Sequence, residues 1–380
     1  MVFLDASASV STVMIISIVA FLITILALVA MLLYAKAKLL PSGEVKLTVN
    51  DEREYVIQPG TTVLNALSEN KIFLPSACGG MGTCGMCTCQ VVEGGGTILP
   101  TEKGFFTRKE QMNQWRLGCQ VKIKEDMKIN IHKEILGIKK WECEVVSNNG
   151  LATFIKEFVV KLPEGETMDF KSGGYIQIDV PKLDVDFQDI DIEDEYRDEW
   201  EKFNMFDLKM KNPEPTYRAY SMASHPAENT IVMLNIRIAT PPWDRAKGGF
   251  MSVNPGICSS FIFSRKPGDK VMISGPYGEF FIKETENEMM FIGGGAGMAP
   301  MRSHIFHLYN TLKTGRKATF WYGARSKREI FYEEHFRLIE KEFPNFKFYI
   351  ALSEPQEEDK WTGRTGFIHQ VIMDEYLSKH

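Results

Sequence analysis

The chain lacks the features of a nucleic-acid-binding protein and those of a disulfide-rich secreted protein. Its 44 Lys and Arg residues are outnumbered by 49 Asp and Glu, so the formal net charge is −5 and no basic excess can neutralise phosphates. The seven cysteines are an odd number, and Cys89, Cys143 and Cys258, which lie outside the motif described below, do not form a disulfide framework. We therefore expect a reducing compartment and no nucleic-acid partner.

Charge is also missing from a long segment near the N-terminus. Residues 6–35 contain no charged side chain and are mostly aliphatic, which exceeds the roughly 20 apolar residues that a membrane span needs. A signal peptide and a buried core helix are the alternatives. A signal peptide has basic residues before its apolar region, whereas the one charged residue before this run is Asp5. We predict a transmembrane anchor over 1–38. Lys36 and Lys38 follow the apolar run, which predicts that the remaining chain lies in the cytoplasm.

Three folded domains are predicted after the anchor. Residues 39–132 combine strand patterns with a short helix and a cysteine loop, which predicts an α+β, ferredoxin-like domain of the β-grasp type. Many short strands over 133–285 predict an antiparallel β-barrel. The segment 182–201 interrupts it with ten acidic and two basic residues, and we expect a solvated excursion there. From 286–380, strands alternate with helices, which predicts a doubly wound parallel α/β sheet.

Four cysteines form the most specific motif. Cys78, Cys84 and Cys87 lie in a glycine-rich run with the spacing C-x₅-C-x₂-C, and Cys119 follows after 31 intervening residues. Three thiolates from one loop and a fourth from a distant position are typical of a [2Fe–2S] cluster. Zinc is the alternative, but its sites usually pair two C-x₂-C knuckles, and the run contains one. We predict a [2Fe–2S] cluster with these four ligands, and a packed thiol at Cys89.

A second pair of segments predicts a flavin site. Arg218 can neutralise a pyrophosphate, Tyr220 can pack on an isoalloxazine ring, and the Ser221 hydroxyl can reach its N5 edge. Tyr220 and Ser221 are therefore the candidate catalytic residues. About 40 residues further on, the run 256–260 opens a helix whose backbone N–H groups and hydroxyls suit a phosphate.

A third motif predicts a dinucleotide site. The glycine run 293–300 follows a strand and precedes a helix, which is the context of a pyrophosphate-binding loop. The run 322–326 ends the next strand, where the ribose of the nucleotide is expected. Because no acidic residue ends that strand, the residues alone do not distinguish NAD from NADP.

Together these segments resemble the ferredoxin–NADP reductase superfamily. The order of apolar helix, cysteine loop, barrel and dinucleotide sheet is similar to that of the F subunits of the sodium-translocating NADH:quinone oxidoreductases. The resemblance covers nearly the whole chain and extends to the runs 139–143 and 234–242. It implies FAD as the flavin, a [2Fe–2S] cluster, and NADH rather than NADPH.

The resemblance also implies which residues hold the cofactors. For FAD these are Arg218, Tyr220, Ser221, Asn235, Arg237, Gly256, Cys258, Ser259 and Ser260. For NADH they are Gly294, Gly295, Ala296, Gly297, Met298, Arg302, Gly323, Ala324, Arg325 and Ser326. In that family a further strand carrying Cys-Gly-Pro-Pro, a helix and an aromatic tail complete the last domain. We therefore expect the nicotinamide domain at 286–380 to be C-terminally truncated.

The expected function is that of a membrane-anchored enzyme subunit in the bacterial inner membrane. It would oxidise NADH, pass a hydride to FAD, and pass single electrons through the cluster to other membrane subunits that reduce quinone and pump sodium. Two alternatives stay open. One is a reductase with the same domains that feeds an oxygenase, and the other is a non-catalytic membrane scaffold with vestigial cofactor loops.

Overall fold

The computed structural model describes residues 2–39 and 43–379. Their helices and strands, in chain order, are α1 (Val2–Leu39), β1 (Val45–Val49), β2 (Arg53–Ile57), α2 (Val63–Glu69), β3 (Thr88–Glu93), α3 (Arg108–Met112), β4 (Trp115–Leu117), β5 (Met127–Asn130), β6 (Lys139–Ala152), β7 (Ile155–Lys161), β8 (Tyr175–Val180), β9 (Leu183–Asp186), α4 (Asp194–Lys202), β10 (Lys209–Asn212), β11 (Thr216–Ser221), β12 (Ile231–Arg237), β13 (Trp243–Asp244), β14 (Gly249–Phe250), α5 (Ile257–Phe263), β15 (Lys270–Tyr277), β16 (Met289–Gly293), α6 (Met298–Phe306), β17 (Ala318–Ala324), α7 (Glu333–Glu342), β18 (Phe346–Leu352), β19 (Arg364–Thr365) and α8 (Ile368–Glu375).

The apolar N-terminal run forms one long helix, α1. Its stretch Met14–Tyr34 comprises 21 residues, and the rest of the chain buries none of it. At 1.5 Å per residue such a stretch is about 30 Å long, the thickness of a bilayer's hydrocarbon core. The alternative of a buried core helix is therefore excluded for this stretch, and its length and composition suit a membrane span.

By its internal contacts the chain forms two compact units, of which the first comprises residues up to Leu74 and Gly85–Ile135. Its five strands lie in the order β2-β1-β5-β3-β4, with β1 parallel to β5 and the other pairs antiparallel. Alternate residues of β1 are buried, as expected for a strand with one face on a core. The Thr62 hydroxyl caps α2 by accepting a hydrogen bond from the Asn65 amide at 3.2 Å. This arrangement is the predicted β-grasp domain.

The second unit comprises Pro75–Cys84 and the chain from Leu136 onward, and its first part is a β-barrel. Six antiparallel strands lie in the order β11-β8-β15-β6-β7-β12. A bridge between Met222 and Leu234 joins the end of β11 to β12, so the two edges of the sheet meet and close it. The antiparallel barrel predicted from sequence is confirmed.

The acidic segment inside the barrel region is folded rather than solvated. It forms β9 and α4, and the side chains of Phe187 and Trp200 are fully buried in the barrel core. The Trp200 indole donates a hydrogen bond to the Thr153 carbonyl at 2.7 Å. The expectation of a solvated excursion over 182–201 is therefore wrong, because the few apolar residues between the acidic ones anchor the segment.

The last part of the second unit is a parallel sheet with helices on both faces. Its strands lie in chain order, β16-β17-β18-β19, and every neighbouring pair is parallel. Phe306 of α6 and Phe336 of α7 pack on one face, and Val371 of α8 packs with Trp321 on the other. This is the predicted doubly wound α/β arrangement, and it places the ends of β16 and β17 beside each other.

Candidate functional site

The four predicted iron ligands are distributed as two pairs, with Cys87 and Cys119 in the first unit and Cys78 and Cys84 in the second. Among the described residues no three potential metal ligands are grouped closely enough to hold an ion. In the first unit the Cys87 thiol is hydrogen-bonded to Cys119, and this bond, with burial, raises the pKa of Cys87 far above its usual value. In the second unit burial opposes ionisation of Cys78, but hydrogen bonds from Thr83 and Cys84 outweigh it and lower the pKa of Cys78 to about 6. Each pair thus supplies two thiols of the kind that ligate iron–sulfur clusters.

The glycines of the cysteine loop allow a close approach to strand β11. Gly79 has a φ of +67°, and a Cβ there would lie 2.4 Å from Nη1 of Arg218 and 2.7 Å from the Tyr217 carbonyl oxygen. Only glycine combines this left-handed conformation with so close a contact. The segment that carries Cys78 therefore packs directly on the strand predicted to bind flavin.

Cys89 is the packed thiol expected from sequence. Its side chain is fully buried, and burial raises its pKa to about 12, which keeps the thiol protonated. Sequence reasoning missed the buried ion pair nearby, in which Arg116 Nη2 lies 2.7 Å from Glu102 Oε2. Glu102 also accepts a hydrogen bond from the Leu117 amide at 2.8 Å, so this carboxylate fixes the strand that leads to Cys119.

The two segments predicted to bind flavin are adjacent. All six residues of β11 remain at least partly exposed, although the strand belongs to a closed barrel. Arg218 Nη1 donates to the Thr216 hydroxyl at 2.9 Å and to the Tyr217 carbonyl at 2.7 Å. Tyr220 is hydrogen-bonded to Cys258, and burial together with this thiol raises the pKa of Tyr220 well above its usual value. One face of β11 and the start of α5 thus form a common surface.

The start of α5 is a tight turn around Gly256. The Ser259 hydroxyl accepts from the Ala239 amide and donates to the Gly256 carbonyl, both at 3.1 Å, and Ser260 donates to the same carbonyl at 2.7 Å. A Cβ at Gly256 would lie 2.5 Å from the Ala239 Cβ. The two predicted serines therefore stabilise the turn that precedes α5. Gly256 has no side chain, which allows Ala239, in the segment after β12, to lie close to this turn.

Asn235 lies where the barrel meets the parallel sheet. Its Nδ2 donates to the Tyr332 hydroxyl at 2.8 Å, and its buried Oδ1 has no partner among the described residues. The Tyr332 hydroxyl in turn forms a short hydrogen bond to Glu157. Burial, followed by the charge of Glu157, raises the pKa of Tyr332. Asn235 thus retains an unused acceptor for a ligand donor.

A cavity of about 330 Å³ lies at the carboxyl ends of the parallel strands. Among the predicted residues, those that line it are Arg237, Gly295, Gly323, Ala324 and Arg325. The glycine loop reaches it because a Cβ at Gly294 would lie only 2.3 Å from the Gly323 carbonyl oxygen. Ligands of open α/β sheets bind at this end of the strands.

Other predicted nicotinamide residues do not line the cavity. Met298 and Ser326 are buried, and the described cavity lining includes neither. Arg302 is also buried: its Nη1 lies 2.9 Å from Glu228 and 2.7 Å from the Ala223 carbonyl oxygen, and the guanidinium lies over the Phe306 ring. Arg302 therefore joins α6 to the barrel, and the described cavity lining does not include it.

Sequence reasoning missed an acidic residue at the cavity. Glu329 lines the cavity four residues after Arg325, on a single 3₁₀ turn. Its carboxylate accepts hydrogen bonds from the Thr153 amide and hydroxyl. The sequence contained a weak signal. NAD-binding sheets usually carry an acidic residue at the end of this strand, and here Glu329 follows the end of β17 by a few residues.

Three family models match successive parts of the chain. They are a 2Fe-2S iron-sulfur cluster binding domain at residues 47–124, an oxidoreductase FAD-binding domain at 202–282, and an oxidoreductase NAD-binding domain at 291–380. The first range includes all four predicted iron ligands, which confirms the iron–sulfur prediction over the zinc alternative. The other two confirm FAD and a nicotinamide dinucleotide as the further cofactors.

Solved structures share the fold. The Amycolatopsis cytochrome P450 reductase is 20% identical with a TM-score of 0.57, covering 88% of this chain and 87% of that one. The ferredoxin reductase in carbazole 1,9a-dioxygenase is 20% identical with a TM-score of 0.54, covering 89% of this chain and 87% of that one. At this identity the likeness concerns the architecture alone.

Sequence relatives are much closer. The Na⁺-translocating NADH-quinone reductase F subunit of Methylococcus capsulatus is 54% identical over 356 residues, covering 94% of this chain and 86% of the relative. Those of Psychrobacter arcticus and Pseudomonas aeruginosa are 53% and 52% identical and cover 95% and 94% of this chain, and 87% and 86% of their own lengths. The chain therefore belongs to the family of F subunits of the Na⁺-translocating NADH-quinone reductases.

Proposed function

We propose that this chain is the electron-input subunit of a membrane-bound NADH:quinone oxidoreductase. It oxidises NADH, and its electrons pass by way of FAD and a [2Fe–2S] cluster to partner subunits that reduce quinone. The observation that carries this function is one chain with iron–sulfur, FAD and NAD domains in that order, 52–54% identical to the F subunits over 94–95% of its length.

The residues along β11 suit FAD. The strand keeps accessible surface along its whole length, and Asn235 has a buried carbonyl oxygen that can accept a hydrogen bond from the cofactor. We assign Arg218 to the pyrophosphate, Tyr220 to the isoalloxazine face, and Ser221 to its N5 edge. Ser221 is exposed at the end of β11, which supports access to a bound ring.

The cavity at the ends of β17 and β18 suits the adenosine half of NADH. Arg237, which the resemblance assigns to FAD, also lines this cavity, and the loop at Gly295 supplies close backbone approach. We assign Gly294 to Gly297 to the pyrophosphate and Gly323 to Arg325 to the ribose.

The cofactors provide the redox chemistry: when bound, FAD accepts a hydride from NADH and the [2Fe–2S] cluster carries single electrons. The protein's part is placement. The segment containing Cys78 and Gly79 lies directly against β11, so a cluster ligand and the flavin-binding strand are held together. Burial of Cys78, Cys87 and Cys119 restricts water around three of the four proposed cluster ligands.

We assign residues 1–38 to a single-pass anchor in the bacterial inner membrane, with the iron–sulfur domain (39–132), the FAD domain (133–285) and the NADH domain (286–380) in the cytoplasm. The exposed apolar stretch of α1 supports the anchor. Sodium pumping belongs to the membrane partners in this proposal. Anchoring keeps the electron donor close to its acceptor and so raises the effective concentration.

The alternative of a reductase that feeds an oxygenase is less supported. The structures of that kind share the fold at 20% identity, whereas the F-subunit relatives are 52–54% identical. A non-catalytic scaffold is also disfavoured, because the matched cofactor domains retain all four cysteines and the glycine loop.

Replacement of one iron ligand tests the proposed order of electron transfer. In Cys84→Ala we expect reduction of bound FAD by NADH to persist, because Cys84 does not belong to the flavin or dinucleotide site. Iron content and quinone reduction should fall to background. Both can be followed with anaerobic stopped-flow absorbance, iron and sulfide analysis, and quinone assays in the assembled complex.

Cys89→Ala is the matched control, because Cys89 is a neighbouring buried thiol that is not among the proposed ligands. This variant should keep its iron and its quinone reduction. Loss of FAD reduction in Cys84→Ala, with FAD still bound, would show that the proposed order is wrong.

A further inference from the structure

We propose that Glu329 and Glu199 make the cavity selective for NADH by disfavouring the 2′-phosphate of NADPH. This inference rests on the proposed function, since it concerns which dinucleotide enters that site. The sequence leaves the choice between NAD and NADP open, because Arg325 follows β17 where NAD sites typically have an acidic residue.

Arg325 is the residue that could accept a 2′-phosphate, because it directly follows β17, where the ribose of a dinucleotide lies. Its guanidinium is already engaged. Nη2 of Arg325 lies 3.5 Å from Oε2 of Glu199 and 3.4 Å from Oε1 of Glu329. A phosphate would therefore have to compete with two carboxylates for this cation.

Glu329 is held in place by the barrel. Its Oε2 accepts from the Thr153 amide at 3.2 Å, and the Thr153 hydroxyl donates to Oε1. Only 14% of the Glu329 side chain is exposed, and the residue lines the cavity. A fixed carboxylate of this kind can accept a hydrogen bond from a ribose 2′-hydroxyl, whereas it repels a phosphate.

Glu199 comes from a different part of the chain, the acidic helix α4. Its side chain is 12% exposed and lies 2.8 Å from Nζ of Lys202. Burial opposes its ionisation, but the hydrogen bond with Lys202 and the charges of Arg325 and Arg328 outweigh it and lower the pKa of Glu199. Glu199 is therefore a carboxylate at neutral pH.

A second ion pair fixes α4 against the same edge of the parallel sheet. Arg328 Nη1 lies 3.0 Å from the Asp198 carboxylate and 3.1 Å from the Glu195 carbonyl oxygen. Trp200 adds a buried hydrogen bond to the Thr153 carbonyl. The negative charge of α4 is thus held beside the cavity by packing and is not free to move away from an incoming anion.

The proposed selectivity arises from charge repulsion. A phosphate monoester carries roughly −1.5 to −2 charges at pH 7, while a hydroxyl carries none. Two nearby carboxylates therefore disfavour NADPH far more than NADH, and discrimination often depends on such a repulsive element. If the carboxylates of Glu199 and Glu329 were neutralised, Arg325 would be free to pair with the phosphate.

The test compares two fragments that lack the nicotinamide ring, ADP-ribose and 2′-phospho-ADP-ribose. Their binding to the full-length, FAD-loaded protein in detergent can be measured by isothermal titration calorimetry, independently of hydride transfer. In the double variant Glu199→Gln/Glu329→Gln we expect the affinity ratio to shift toward the phosphorylated fragment by about tenfold or more, which corresponds to about 1.4 kcal/mol. The ratio of kcat/KM for NADPH over NADH should shift in the same direction.

Two further variants make the test specific. Glu201→Gln, on the exposed side of α4, should leave the ratio unchanged, since Glu201 pairs only with Arg197 among the described ion pairs. Addition of Arg325→Gln to the double variant should remove the gained affinity for the 2′-phosphate. If the double variant does not fold, the single variant Glu199→Gln should show a smaller shift of the same sign.

The outcomes separate the inference from the proposed function. If the parent binds ADP-ribose and the carboxylate variants leave the affinity ratio unchanged, the inference is wrong and the proposed function stands. If the parent binds neither ADP-ribose nor NADH, the proposed function fails and the inference fails with it.

Discussion

Single atoms decide which glycines of the loop after β16 can accept a side chain. A Cβ at Gly294 would lie 2.3 Å from the Gly323 carbonyl oxygen, and a backbone atom cannot rotate away as a side chain can. At Gly297 a Cβ would meet no described atom within 4 Å. The two glycines therefore serve different purposes: the first permits packing of the loop on β17, and the second keeps space open beside the loop.

Alanine substitutions should separate these purposes. Gly294→Ala should destabilise the nicotinamide domain by about 1–3 kcal/mol, because the loop must shift away from β17. Gly297→Ala should change the free energy of unfolding by less than about 0.5 kcal/mol but raise the KM for NADH, since the new methyl group occupies the open side of the loop. Thermal unfolding and steady-state kinetics measure the two effects.

The result that contradicts this account is a Gly297→Ala protein as unstable as Gly294→Ala. It would mean that the loop lacks the open space seen beside Gly297.

At the scale of elements, α4 shows how a segment rich in charge can be part of a core. Its acidic residues point outward or toward the sheet, while Trp200 lies among Phe187, Phe206 and Phe263. Ring centroids of Trp200 and Phe263 are 6.1 Å apart. One buried aromatic residue thus fixes a helix that then presents carboxylates to the neighbouring sheet.

Removal of that aromatic anchor should therefore have a large effect. Trp200→Ala should lower the free energy of unfolding by about 3–5 kcal/mol, since it leaves a cavity and an unpaired Thr153 carbonyl. Glu201→Ala, on the same helix, should stay within about 0.5 kcal/mol of the parent. Denaturant unfolding followed by flavin release and fluorescence would measure both, and equal stability of the two variants would contradict the packing described.

The elements that sequence predicts well are those whose signal is local. The cysteine run, the strand at Arg218 and the loop at Gly294 each occupy one short stretch, so their residue types and spacing indicate the chemistry directly. The meeting of Glu199 with Arg325 could not be predicted, because it joins two segments that are brought together only by folding. Burial of Trp200 was missed for a related reason: the average composition of 182–201 conceals one large apolar side chain.

At the scale of the whole molecule, the charge asymmetry around α1 predicts on which side of the membrane NADH must be supplied. The apolar stretch of α1 is followed by Lys36 and Lys38 and is preceded by Asp5, and cytoplasmic flanks of membrane helices are enriched in basic residues. The cofactor domains follow the basic flank. They are therefore expected on the cytoplasmic side, where NADH is present.

This orientation predicts opposite results for two kinds of membrane vesicle. NADH is charged and does not cross a sealed bilayer, because transfer of an ionised group into hydrocarbon is strongly unfavourable. Inverted vesicles, which expose the cytoplasmic face, should oxidise added NADH at full rate, and right-side-out vesicles should do so only after permeabilisation with detergent. The rate due to this chain is the difference between membranes that contain the parent and membranes that contain Cys84→Ala, which removes the contribution of other dehydrogenases. If intact right-side-out vesicles oxidised NADH at the full rate without detergent, the cofactor domains would lie on the outer face. The basic flank of α1 would then not determine the orientation of this protein.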